Sequence, residues 1–323
     1  MNDLPPIWMR RWHTAAPSPS GPWTVTDGDD HGLLDPERGV VTVVDPADDR
    51  RLPGLAAALA DGGRLVAYRH HRRAVTRDTT SFTKVVRPDR AAGIVRNHEV
   101  LVGSPGFETP RVLHATDDGR VQIETVEGPS LHGLLRADVD VPIPAVATAL
   151  SALHAVSPSA TVPPAEFDDP ARWIAIVTRM EPARRRSLQA VADELPSVDP
   201  AGSALVHTDL HDKNVMSTRR GVHFIDLDGL AVGAPEIDVV NLAVHLELRA
   251  LQAGLEAGEG RRRFENLLTA YQRRRPLDAT NVSAIERHTW FRLGCLYLCR
   301  PSGRRLAHAL LDRAARRAEP LPG

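Results

Sequence analysis

Lysine is almost missing from this chain of 323 residues: Lys84 and Lys213 are the only two among 40 basic residues, and the rest are arginine. That skew, with abundant alanine and proline, reads as a GC-rich bacterial coding sequence in which arginine fills any site that needs only positive charge. Where lysine persists, a compact ammonium on a flexible stem is the property being kept. Cysteine is as scarce. Cys295 and Cys299 lie four apart in an apolar segment, which argues against a disulfide framework and for a reduced pair on one helix face. No stretch approaches the ~18 uncharged apolar residues of a membrane span. The opening MNDLPPIWMRRW has no apolar leader core, so a cytoplasmic location is expected. A net charge bias is lacking too: the formal charge is -1, with 42% apolar and 25% charged residues, which gives no general attraction to nucleic acid. Internal repeats are not found.

What is present divides the chain near residue 128. Residues 1–38, rich in Pro, Ser, Gly and Asp, read as an irregular N-terminal arm. GVVTVVD (39–45) alternates like a strand, LPGLAAALADGG reads as a short helix, and RLVAYRHHRRAVTRD followed by SFTKVVR reads as three antiparallel strands. AAGIVRNHEVLVGS (91–104) has helical spacing, and RVLHATDDGRVQIETVEG reads as a hairpin turning at Asp118-Gly119. Residues 39–128 therefore suggest a small antiparallel sheet carrying a helix. Residues 129–323 read as a helical domain whose strand-like pieces, ALVHTD and GVHFIDLD, suggest one embedded hairpin. The fold class expected is α+β.

The densest chemistry lies in VHTDLHDKN (206–214), followed twelve residues after Asn214 by Asp226 in HFIDLDG. A zinc hydrolase would use His207 and His211, but a strand running into a loop would splay those rings, and no third ligand stands out beyond Asp226 and Asp228. Phosphoryl transfer uses every polar residue. H-x-D-x-x-x-x-N is the spacing of a kinase-type catalytic loop, with Asp209 orienting an attacking hydroxyl. Asn214 and Asp226 would offer hard oxygens to Mg²⁺, with Asp228 either assisting the metal or solvating the turn. His211 would face the transferring phosphate, and Lys213 would contact phosphate or substrate or neutralise Asp212.

These residues resemble the aminoglycoside phosphotransferase / choline kinase-like group of small-molecule kinases. The matching stretches are HTDLHDKN, FIDLDGLAVGAPEIDVVNLA (224–243), TKVV around Lys84, Glu99 in the following helix and ETVEG (124–128), covering roughly residues 65–250. The resemblance implies a bilobal protein-kinase-like fold with residues 39–128 as the nucleotide-binding lobe. It implies that Lys84, held by Glu99, meets the α/β-phosphates, and that Glu124, Thr125, Val126 and Glu127 bind the base of ATP or GTP. Asp238 would cap a helix, support the catalytic loop, or do both.

One departure stands out. The turn that should cover the phosphates reads RHHRRA, with no glycine for close backbone approach. Either Arg72, Arg73 and the histidines hold phosphates through side chains, or the chain is a pseudokinase-type binding module without transfer activity. Only twelve residues separate Asp226 from Asp238, too few for a peptide-docking platform, so the acceptor should be a small hydroxylated molecule. From residue 231 onward there are 15 Arg against 10 acidic residues, which disfavours a polycationic acceptor and suits a neutral sugar, a nucleoside-like natural product or an anionic metabolite. Antibiotic modification or biosynthesis is the expected setting, the chain being a monomer or homodimer.

Overall fold

The computed structural model describes residues 7–316, so the outermost six and seven residues of the N-terminal arm and the helical part lie outside the described residues. The arm is not irregular. It folds into β1 (Thr14–Ala16), β2 (Trp23–Asp27), β3 (Asp30–Asp35) and β4 (Val40–Val43), an antiparallel sheet in that order. The reason is burial: Trp8, Trp12, Trp23, Val25 and Leu34 join the same apolar cluster as the C-terminal helices. Each buried indole contributes on the order of 2–3 kcal/mol. Arg179 ties the sheet down further by donating to Ser18 O and Gly21 O at 3.1 and 2.7 Å.

After α1 (Gly54–Ala60), the chain forms β5 (Arg64–Arg69), β6 (Arg73–Arg77) and β7 (Ser81–Val86), then α2 (Pro88–Leu101), β8 (Val112–Ala115) and β9 (Arg120–Glu124). The five strands lie in the order β5-β6-β7-β9-β8, all antiparallel. Helix α2 starts on Pro88, whose fixed φ suits a first turn. Its buried residues, Ala91, Ile94, Asn97, His98 and Leu101, define one stripe at helical spacing. The connection out of this lobe runs through Gly128, whose φ of +134° and whose 2.7 Å clearance between an added Cβ and Ser217 O leave no place for a side chain.

The second lobe contains α3 (Leu131–Arg136), α4 (Ile143–Leu153), α5 (Pro170–Met180) and α6 (Arg185–Asp193) before its strands. ALVHTD and GVHFIDLD do form strands, but they do not pair with each other. β10 (Ala204–Val206) pairs with β13 (Ala231–Gly233), while β11 (Val215–Thr218) pairs with β12 (Gly221–Phe224). Helices α7 (Glu236–Gln252), α8 (Ala257–Gln272), α9 (Ala279–Leu298) and α10 (Arg304–Ala315) complete it. Nearly every residue of α7 is buried, so it is the central post of the lobe. Cys295 and Cys299 are buried free thiols, with the Cys295 pKa pushed up to about 12 by burial. No helix among the described residues is long and apolar enough to cross a membrane.

Candidate active site

The loop after β10 is held from below by one carboxylate. Asp238, fully buried on α7, accepts from His207 N at 2.6 Å, from Thr208 N at 2.8 Å and from the His154 ring at 3.1 Å. It makes no cap bond to its own helix, so its work is on the loop. Thr208 takes a left-handed φ of 66°, costly for a β-branched residue, and the two bonds from Asp238 hold it there. Its hydroxyl donates to Gly229 O at 2.9 Å, and a Cβ on Gly229 would lie 2.4 Å from that hydroxyl, so only glycine fits.

This arrangement leaves Asp209 exposed on the cleft wall, its carboxylate without a hydrogen bond from the described residues. Its backbone carbonyl accepts from Asn214 Nδ2 at 3.0 Å, which turns the Asn214 amide oxygen the other way. Two bonds then join the loop to the end of β12: Ile225 N donates to Asn214 O at 3.0 Å, and the His207 ring meets Ile225 O at 2.8 Å. Asp226 follows immediately, also left-handed at φ 63°.

Lys84, on β7, donates to Asp226 at 2.6 Å and to Asp228 at 2.5 Å. Burial would raise the Asp226 pKa, but Lys84 and Arg73 outweigh it and hold the carboxyl well below its usual range. Glu99 does not touch Lys84. It lies exposed on the outer face of α2, whereas Asn97 faces inward and donates to Leu227 O and Asp228 O at 2.9 and 3.3 Å. The expected lysine–glutamate pair is therefore replaced by a lysine–double aspartate cluster braced by Asn97. The stripe Ala91, Ile94, Leu101 was the signal: position 97 falls on it and 99 does not.

The glycine-free turn is built by a buried acid. Asp49 accepts from Tyr68 Oη, His71 N, the His71 ring and Arg51 N, all between 2.7 and 3.0 Å. Burial works against its ionisation, but the bonds from His71 and Tyr68 win and lower its pKa. His71 itself supplies the left-handed residue, φ 60°, where glycine was expected. His70 N donates to Thr24 Oγ1 of β2 at 2.9 Å, which fastens the turn to the N-terminal sheet. Arg73 reaches to 3.7 Å from Asp226 and 3.5 Å from Asp228, whereas Arg72 lines the cleft without an ion pair among the described residues.

Lys213 also lines the cleft, and it is not the partner of Asp212. Asp212 is fully buried and receives Arg249 Nε and Nη2 at 2.7 and 3.0 Å and the His132 ring at 2.8 Å. His211 lies on the same wall, its ring centroid 5.2 Å from that of His245, and burial foremost lowers its pKa. Glu124 is held by Arg111 at 3.2 Å, Thr125 N reaches Thr80 O at 3.4 Å, Val126 is half-buried and Glu127 exposed. All four lie between the lobes but outside the lining of the large cleft, whose volume is about 1950 Å³.

Against known sequences, the model of the Phosphotransferase enzyme family matches residues 57–277, most of the chain, including Lys84, the loop from His207 to Asn214, Asp226 and Asp238, though not Asp49. The chain belongs to that family. Its fold is the α+β, protein-kinase-like bilobal fold of the aminoglycoside phosphotransferase and choline kinase group. A solved structure of aminoglycoside phosphotransferase APH(2'')-Ib with ADP bound aligns with a TM-score of 0.52 at 12% identity, over 80% of this chain and 97% of that one. The aminoglycoside phosphotransferase APH(3'')-Id from Streptomyces rimosus aligns at 0.49 with 19% identity, covering 76% and 96%. A choline/ethanolamine kinase family protein from Mesorhizobium loti aligns at 0.49 with 17% identity, covering 83% and 92%. No curated protein matches the sequence.

Proposed function

We propose that this member of the family is a kinase that moves the γ-phosphoryl group of ATP or GTP to a hydroxyl of a small molecule. One observation carries the reading. Asp209 and Asn214 from one loop, Asp226 after β12 and Lys84 on β7 are tied by short backbone and side-chain bonds into one constellation, with Asp209 on the cleft wall.

Asp209 lies free where an incoming hydroxyl must approach, so it orients that group and takes its proton as the new P–O bond forms and the bond to the nucleoside diphosphate breaks. The amide oxygen of Asn214 and the carboxylates of Asp226 and Asp228 make a hard-oxygen donor set, which fits magnesium. When bound, magnesium neutralises charge on the transferring phosphates. Lys84 and Arg73, already drawn to those carboxylates, are placed to meet the same phosphates. Asp49 fixes the turn that brings Arg73 there, so the lack of glycine is offset by a preset backbone.

Transfer of label from γ-labelled nucleotide to a panel of hydroxylated compounds tests the proposal. Asp209→Ala should lower turnover by about a thousandfold or more. Its Tm should stay within about 1 °C, because the carboxylate is exposed and unbonded. Equal turnover in wild type and Asp209→Ala would overturn the assignment. Binding of Mg–nucleotide with no transfer to any acceptor would favour a binding-only module.

A further inference from the structure

The cleft is lined by twelve Arg or Lys side chains against six carboxylates. Four of those carboxylates are engaged, Asp89 by Arg87 at 3.6 Å, whereas Asp209 and Glu166 have no partner among the described residues. Asp228 is held by Lys84 and Arg73, Asp168 by Arg172 at 2.6 Å, and Asp169 caps α5 by accepting from Ala171 N. The cations are not matched in the same way. Arg249 is neutralised by Asp212, but Arg292 and Arg300 form no ion pair among the described residues. Arg292 is held instead by a neutral group: it donates to Asn241 Oδ1 at 2.7 Å, and Asn241 in turn donates to Leu210 O at 2.8 Å. A rigid relay thus joins an uncompensated guanidinium to the residue next to Asp209.

Position separates this cluster from the nucleotide. The phosphate-side cations, Lys84 and Arg73, come from the strand lobe and sit on Asp226 and Asp228. Arg292 and Arg300 come from α9 and the residues just beyond it, in the helical lobe. The cations lie near one another: burial lowers the proton affinity of Arg300, Tyr297 and Cys299 oppose the drop, and Arg292 and Arg249 add to it. Arg69, across the cleft, has its pKa lowered to about 10 by burial and by its arginine neighbours, Arg300 included, while Asp209 opposes the drop. A protein that holds several unpaired guanidinium groups together gains by admitting an anion.

We propose that the acceptor is itself an anion, a hydroxylated small molecule whose carboxylate or phosphate is bound by Arg292 and Arg300 while its hydroxyl faces Asp209. This rests on the phosphotransferase reading and narrows it. A polycationic acceptor would meet like charge on this wall, with few free carboxylates to receive it.

The full-length protein, first saturated with Mg–ADP, is titrated calorimetrically with glucose, gluconate, glucose 6-phosphate and kanamycin. Gluconate or glucose 6-phosphate should bind, more weakly as salt is raised, and glucose and kanamycin should not. Which anion binds tells carboxylate from phosphate. Arg292→Gln and Arg300→Gln should each weaken that binding by about tenfold or more while keeping Mg–ADP affinity, the loss expected for a charge-assisted hydrogen bond. Preference for glucose or kanamycin, failure of both anions to bind, or unchanged affinity in both variants would overturn the proposal. Failure of the Mg–ADP titration itself would instead sink the phosphotransferase reading.

Discussion

Replacing Asp238 by Asn removes one oxygen and changes almost no volume. In the wild type the two carboxylate oxygens are divided between the His207 and Thr208 amides, with the His154 ring on one of them; Asp238, His207 and His154 are buried and Thr208 half-buried. An asparagine keeps one acceptor and turns an NH₂ toward a backbone N–H that has no other partner. One charge-assisted bond is lost and a buried donor is left facing a donor, a cost of about 2–4 kcal/mol. For a chain of this length, each kcal/mol moves Tm by about 1.5 °C, so a drop of about 3–6 °C is expected by calorimetry. The second effect is local. The clamp on both amides helps hold Thr208 left-handed, and its loss should let Asp209 swing from the cleft wall. Steady-state kinetics should then show kcat down by about tenfold to a thousandfold, with the nucleotide KM nearly unchanged, since Lys84 and Asp226 are not touched. A variant with wild-type Tm and wild-type kcat would show that the clamp does not position the loop.

Arg249→Met strands the Asp212 carboxylate in the core and should cost about 3–5 kcal/mol, read as a Tm lowered by about 4–7 °C. His245 is buried and its pKa is lowered to about 4, chiefly by burial, from 6.5. The unfolded chain therefore binds that proton in a window where the folded chain does not, so stability should fall as pH drops from 6.5 to 4, by about 3 kcal/mol from this residue. A Tm–pH profile of His245→Asn should be flatter over that window, and an identical slope would refute the account. Asp49→Ala removes the anchor of the turn at residues 69–73 and should raise the nucleotide KM by about tenfold with a smaller change in kcat. An unchanged KM would show that the turn is set by other contacts.

Much of the strand lobe is legible without coordinates, because β5, β6, β7 and the β8–β9 hairpin carry alternation and turn residues that are local signals. Of the N-terminal sheet only β4, within GVVTVVD, is read from the sequence, although WTVTD alternates too. It lies between SPSGP and DGDD, and its apolar side chains pack against helices more than a hundred residues away. Strands β11 and β13 hold only three or four residues, too few for a periodic pattern. The residues of the catalytic loop are local in sequence and readable from spacing. What is hidden is what supports them: Asn97, Asp49 and the Asn241–Arg292 relay are single polar residues whose partners are set by tertiary packing. Glu99 is the residue the family resemblance implies, whereas helix phase puts Asn97 on the buried face.

The N-terminal sheet has a mechanical consequence. It is anchored to α5 through Arg179 and to the turn of the strand lobe through Thr24 and His70, so the covalent joint at Gly128 is not the sole link between the two halves. A second strap therefore bridges the crevice beside the covalent joint. Opening the crevice about Gly128 would also have to break the bonds at Arg179 or His70.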